Sequence, residues 1–146
     1  MRRVVLALLF LASPLSLAAQ DAGGNSAGIA AEDAAAIRSV IERQLAAFAR
    51  DDAAAAFAFA SPGIQERFGT AENFLAMVER SYQPVYRPRE RQFEALVEGE
   101  EGPVQKLLLV GADGRVVLAL YSMEREPDGS WRISGCQLVE AEERTS

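Results

Sequence analysis

At Pro84 the periodicity of the sequence changes, and that change restricts the fold more than any other feature. Before it, apolar residues recur at helical spacing: Ile37, Ile41, Leu45 and Phe48 in "EDAAAIRSVIERQLAAFAR", with Val40 beside them. After it come four strand-like runs, about 89–98, 103–110, 115–125 and 131–139. The links between them are "GEEG", "GADG" and "EPDG", short turn chemistry that joins neighbouring strands as an antiparallel meander. A chain with its helices first and its strands after is an α+β layered domain.

Three helices are expected ahead of the sheet. The first spans the run above, with acids leading and Arg43 and Arg50 trailing, as the helix dipole favours. The second is "RDDAAAAFAFASP", with Asp51 or Asp52 as its N-cap and Pro62 as its end. "SPGIQERFG" reads as irregular and leads to Thr70, the cap of a third helix. Its apolar stripe is Phe74, Met77, Val78 and Tyr82, and Pro84 stops it.

The turn "EPDG" fixes the register of the last hairpin. With Pro127 and Asp128 as type I corners and Gly129 left-handed, the loop has three residues and a bulge. Counting back pairs Glu124 with Arg132, Met123 with Ile133, Tyr121 with Gly135, and Leu118 with Leu138. Trp131, Ile133, Met123 and Tyr121 then share the core face, with the Tyr121 ring over Gly135. Leu118, Leu120, Cys136 and Leu138 fall on the outer face. Four apolar side chains there are near the limit a monomer exposes, which predicts a homodimer through that face.

The first residues, "MRRVVLALLFLASPLSLAAQDAGG", have a basic start, a nine-residue apolar run and small residues at Ala18 and Ala19. That run is too short to span a bilayer, and the pattern is a secretory signal peptide over 1–19. A flexible tether over 20–31, one domain over 32–140 and a tail over 141–146 complete the expected organisation. Localisation would be the bacterial periplasm or exterior, with no membrane insertion after cleavage. Without Arg2 and Arg3 the net charge moves from −6 to −8, so nucleic acid is a poor partner. The single cysteine permits no internal disulfide, and stability must come from the core that about 125 residues can build.

"FARDDAAAAFAFASPGIQERFGTAENFLAMVERSYQPVYRP" together with "WRISGCQL" resembles a bacterial family described only as domain of unknown function 4864. More broadly, helices followed by a curved meander resemble the nuclear-transport-factor-two-like, or cystatin-like, cone superfamily. The resemblance covers about 37–140 and implies three N-terminal helices packed on a curved four-stranded antiparallel meander. Within the superfamily stand isomerases, dehydratases, cyclases, transport factors and ligand-binding modules, so the fold does not choose a function.

The chain has no histidine. That removes Ser-His-Asp and Cys-His dyads and imidazole-ligated metals, and no metal site or cofactor motif is legible. The resemblance to cone enzymes implies an aspartate base with a tyrosine or acid donor; Asp51, Asp52, Tyr82, Tyr86 and Tyr121 offer those groups. The same aspartates suit helix caps, and Tyr82 and Tyr121 suit core rings whose hydroxyls bond to backbone. Cys136 reads as a small buried residue. In "YQPVYRPRERQF", Arg87, Arg89 and Arg91 alternate, and an extended chain would project all three from one side over about 13 Å. Beside Tyr86 they fit a carboxylate or phosphate clamp; they equally fit a charged edge strand that blocks aggregation. The expectation is a non-catalytic exported module that binds a small anionic or apolar ligand, or a protein. Its rival is a cofactor-independent isomerase or dehydratase with an Asp/Tyr site in the cone. A cavity holding a carboxylate would favour the enzyme, and one lined by apolar and aromatic groups would favour the binding module.

Overall fold

The structure, a computed structural model, describes residues 28–141. The expected leader, the tether up to residue 27 and residues 142–146 lie outside them. Among the described residues, helices α1 (Ala31–Ala49), α2 (Ala53–Ala58), α3 (Pro62–Phe68), α4 (Ala71–Ser81) and α5 (Gln83–Tyr86) precede all strands. Strands β1 (Glu90–Gly99), β2 (Gly102–Val110), β3 (Val116–Arg125) and β4 (Trp131–Glu140) form one antiparallel sheet in the order β1-β2-β3-β4. The α+β order matches the sequence, and two short helices join the three expected.

Both additions turn on proline. Pro62, expected to end α2, instead opens α3, because a first-turn residue needs no N–H partner; α2 has already ended at Ala58. The Ser61 hydroxyl accepts from Ile64 N at 3.3 Å and caps that helix. Pro84 likewise sits in the first turn of α5 and so fails to keep "QPVY" extended. At the caps that were expected, Asp52 accepts from Ala55 N and Thr70 from Asn73 N, each at 3.1 Å.

The core lies between the helices and the inner face of the sheet. Ile37, Ile41, Leu45 and Phe48 of α1 are all at most 2 % exposed, and Leu107, Leu109, Ala119, Tyr121, Met123 and Ile133 meet them from the sheet. Each large apolar side chain so buried stabilises by about 1.5–3 kcal/mol. Ile29, expected in the tether, packs against this core as well. Trp131 lies on the core face, as the register required, but is half-buried at its edge. Its Nε1–H donates to Asp33 Oδ1 at 3.3 Å, and Arg125 lies over its ring and 3.6 Å from the same carboxylate. The tryptophan therefore pins the start of α1 to the last hairpin.

Beyond the turn the hairpin departs from the expected register. Gly129 is left-handed, with φ 87°, and Glu124 and Met123 face Arg132 and Ile133 as counted. The register then shifts by one, so that Ser122 faces Gly135, Tyr121 faces Cys136 and Leu118 faces Val139. Ser134 is the extra residue of a β-bulge, which bends the strand and changes the parity of the residues beyond it. Cys136 and Leu138 therefore lie on the inner face, against the core, and not on the outer face with Leu118 and Leu120. A second shift, between Phe93 and Leu96, bulges β1. There Gln105, fully buried, donates to the carbonyls of Glu94 and Lys106 at 2.9 Å. The two edge strands thus carry the bulges that curl the sheet.

The bulge on β4 also joins the two layers. Ile133 N donates to Phe59 O, and Ser61 N donates to Ile133 O, each at 2.9 Å. The segment between α2 and α3 is thereby fastened to the edge of the sheet, where the two layers part to leave a cavity.

Candidate functional site

That cavity, of about 500 Å³, lies between the helices and the inner face of the sheet. Phe48 of α1, Phe68 of α3, Phe74, Met77 and Val78 of α4, and Ile133 of β4 give it an apolar wall. Phe74 anchors that wall, with ring centroids 5.9, 5.4 and 5.7 Å from Phe48, Phe57 and Phe68. Exposed Arg67, Ser81 and Ser134 mark the mouth, and among the described residues Arg67 is the only charged side chain of the lining. No carboxylate of the described residues faces it.

Polar groups at the cavity divide into those with partners and one without. The amide of Gln44, 3 % exposed, donates to Ala56 O at 3.1 Å. Tyr82 Oη donates to Cys136 O at 3.1 Å, the backbone partner expected for it. Tyr121, only 1 % exposed, has no hydrogen-bond partner among the described residues for its hydroxyl. Burial, and after it the neighbouring Cys136 thiol, raise that hydroxyl well above its ordinary range. Cys136 keeps some exposure because it faces the cavity, yet burial pushes its thiol up to about 12. Both groups are neutral at ordinary pH.

A second cluster forms where α1 ends, away from the cavity lining. Asp51 N donates to Phe48 O at 3.1 Å and Asp52 N to Ala47 O at 2.9 Å. This is a Schellman ending, whose left-handed position usually holds glycine. Here Asp51 occupies it, with φ 55°. Asp52 caps α2, so the two neighbouring aspartates have different roles. The Asp51 carboxylate accepts from Tyr86 Oη, and Arg87 Nη2 reaches both its oxygens at 3.2 Å. Arg87 also donates to Phe48 O, the helix-end carbonyl that already accepts from Asp51 N, and lies 4.0 Å over the Tyr86 ring.

The Tyr86 hydrogen bond, with help from Arg87, holds the Asp51 carboxyl below its ordinary 3.8. The same bond, with burial, raises Tyr86 above 10.0. A depressed carboxyl stabilises the fold above its unfolded value and ceases to as pH falls through the folded one. A raised phenol stabilises below its unfolded value and ceases to as pH rises through the folded one. Asp51→Asn keeps a residue that tolerates the left-handed region and removes the charge. Its urea midpoint should fall less than that of wild type as pH drops below about 4, Asp128 supplying a second depressed carboxyl that the substitution leaves in place. Parallel acid limbs in the two proteins would exclude the cluster as a source of acid sensitivity.

The extended arginine row does not form. Arg87 turns back from the end of α5 onto Asp51 and Phe48, while Arg89 and Arg91 are exposed near and on edge strand β1. Arg89 instead runs toward the β2–β3 loop, its Nη1 lying 3.9 Å from where a Cβ on Gly114 would stand. Tyr86 and Arg87 are thus held by Asp51, and none of Tyr86, Arg87, Arg89 and Arg91 lines the cavity.

A profile for a domain of unknown function (DUF4864) matches residues 30–146. The chain belongs to the DUF4864 family. A search of the curated proteins finds no match. Among solved structures, ActVI-ORFA from Streptomyces coelicolor is similar, with TM-score 0.50 and 16% identity over 79% of this chain and 99% of that one. The likeness is one of fold, the nuclear-transport-factor-two-like cone, and it brings no activity to the DUF4864 domain.

Sequence reading missed Gln44, Arg67 and the aromatic wall as a site, and it placed Cys136 outside. One signal was present: Gln44 interrupts the stripe Ile37, Ile41, Leu45 and Phe48, a polar residue on a buried face. The Cys136 position depended on a bulge at Ser134, whose local sign was Gly135 inside the strand.

Proposed function

We infer that this DUF4864 domain is an exported binding module that holds a small, mainly apolar ligand in its cone cavity. One observation carries the reading: the cavity has an aromatic and aliphatic wall and no carboxylate in it. Its size falls within the roughly 300–1,000 Å³ usual for small-molecule sites. A base-catalysed isomerase or dehydratase would need a carboxylate at the reacting carbon. Asp51, the one aspartate bonded to a tyrosine among the described residues, stands outside the lining and is ion-paired to Arg87. In a thermal-shift panel, at least one small apolar compound should raise the wild-type melting temperature saturably. Met77→Trp, which puts a large ring at the cavity wall, should abolish that shift. A panel with no saturable shift, or a shift indifferent to Met77→Trp, would sink the reading.

Export rests on the composition of residues 1–19, and association on the outer face of the sheet. There Leu108, Leu118, Leu120 and Val139 are all part-exposed neighbours, more apolar than a one-sided antiparallel sheet requires. Pairing that face with a second copy would bury it. Native mass spectrometry of periplasmic protein should read twice the mass of a chain lacking residues 1–18 or 1–19. Leu118→Arg should halve it, and a monomer at tens of micromolar would rule the interface out.

A further inference from the structure

We propose that the cavity recognises its ligand through a neutral oxygen acceptor, such as a ketone, aldehyde or ester carbonyl, seated on the hydroxyl of Tyr121. The proposal rests on the reading of the cavity as a ligand site and says which chemistry that site takes. Tyr121 belongs to the cavity wall, is 1 % exposed, and carries a hydroxyl with no hydrogen-bond partner among the described residues. Leaving a buried hydroxyl unpaired destabilises a fold, so such groups in native structures call for an explanation. Tyr82 shows that this cavity can satisfy a phenol from backbone, since its hydroxyl reaches Cys136 O. Tyr121 has no such carbonyl, and its neighbour across the strand pair is a thiol, a weak acceptor.

Electrostatics decide what kind of acceptor belongs there. Burial keeps Tyr121 and Cys136 protonated, so both stand in the cavity wall as neutral donors. No lysine or arginine of the described lining lies at that depth; Arg67, its only cation, is exposed at the mouth. A carboxylate beside Tyr121 would be desolvated without a counter-charge, which is costly. A carbonyl oxygen loses far less on leaving water, and one hydrogen bond compensates it. The surrounding rings of Phe48 and Phe74 would take the hydrocarbon body.

The test uses three compounds of similar shape: 1-tetralone, tetralin and 1-naphthoate, with the methyl resonance of Met77 reporting occupancy of the cavity. Wild type should bind the ketone about tenfold more tightly than the hydrocarbon, as one compensated buried hydroxyl would give. Tyr121→Phe should erase that preference while melting no lower than wild type, because it removes an unpaired hydroxyl and nothing else. Equal binding of ketone and hydrocarbon by wild type, or an undiminished preference in Tyr121→Phe, would overturn the assignment and leave the cavity reading intact. Tightest binding of 1-naphthoate, lost in Arg67→Gln, would overturn it too, moving recognition to the mouth. If neither neutral compound shifts the Met77 resonance, the binding reading itself fails.

Discussion

Phe74→Ala should lower the free energy of unfolding by about 3–5 kcal/mol, the range for removing a buried aromatic ring. The ring is 6 % exposed and touches those of Phe48, Phe57 and Phe68, so it joins α1, α2 and α3 to α4. It also forms part of the cavity wall, so truncation enlarges a space already present, and the cost of a cavity grows with its volume. A domain holds only about 5–15 kcal/mol in total, so the variant should lose much of its margin. Phe74→Leu, which keeps most of the volume, should cost about a third as much. Urea unfolding of both variants checks this, and a loss below about 1 kcal/mol for the alanine would mean that the four rings do not pack together.

Gly102→Ala should cost roughly 3 kcal/mol, from backbone strain together with a collision. Gly102 opens β2 opposite Gly99, after the tip Glu100–Glu101, and has φ 124°. A Cβ there would lie 2.9 Å from Met123 O, a backbone atom of β3 that cannot swing aside. Gly129 supplies the control. Its φ of 87° is also left-handed, but a Cβ would meet nothing within 4 Å, so Gly129→Ala should cost only about 1 kcal/mol. If the two alanines destabilise equally, the first hairpin does not approach β3 this closely.

The helices and the sheet order were legible because each is written locally. The stripe from Ile37 to Phe48 has one helical solution, and the three Gly-bearing turns leave a meander little choice. Tertiary context supplied the rest. Pro62 and Pro84 read as stops, yet each stands where a helix begins; for Pro62 the local sign was Ser61, a cap residue directly before it. Asp51 and Asp52 read as rival caps; only the position of Tyr86 and Arg87, far along the chain, assigns Asp51 to them. The cavity was the least legible feature, because an empty space is the product of six elements and belongs to the sequence of none. Tyr121 was correctly placed on the inner face, but its missing partner is a fact about the neighbourhood of β4.

The extra residue in β4 also has a bearing on how this fold can vary. With Ser134 removed, Met123 could still face Ile133 and Tyr121 could still face Cys136, since the pairing on either side already matches a regular ladder. Every side chain beyond that point would keep its face; only the bend would go. An insertion or deletion of one residue within a strand ordinarily exchanges inside for outside along the whole remainder. Here it would straighten a wall. Loss of that one residue would thus reshape the mouth between α3 and β4 while the hydrophobic interior keeps its faces.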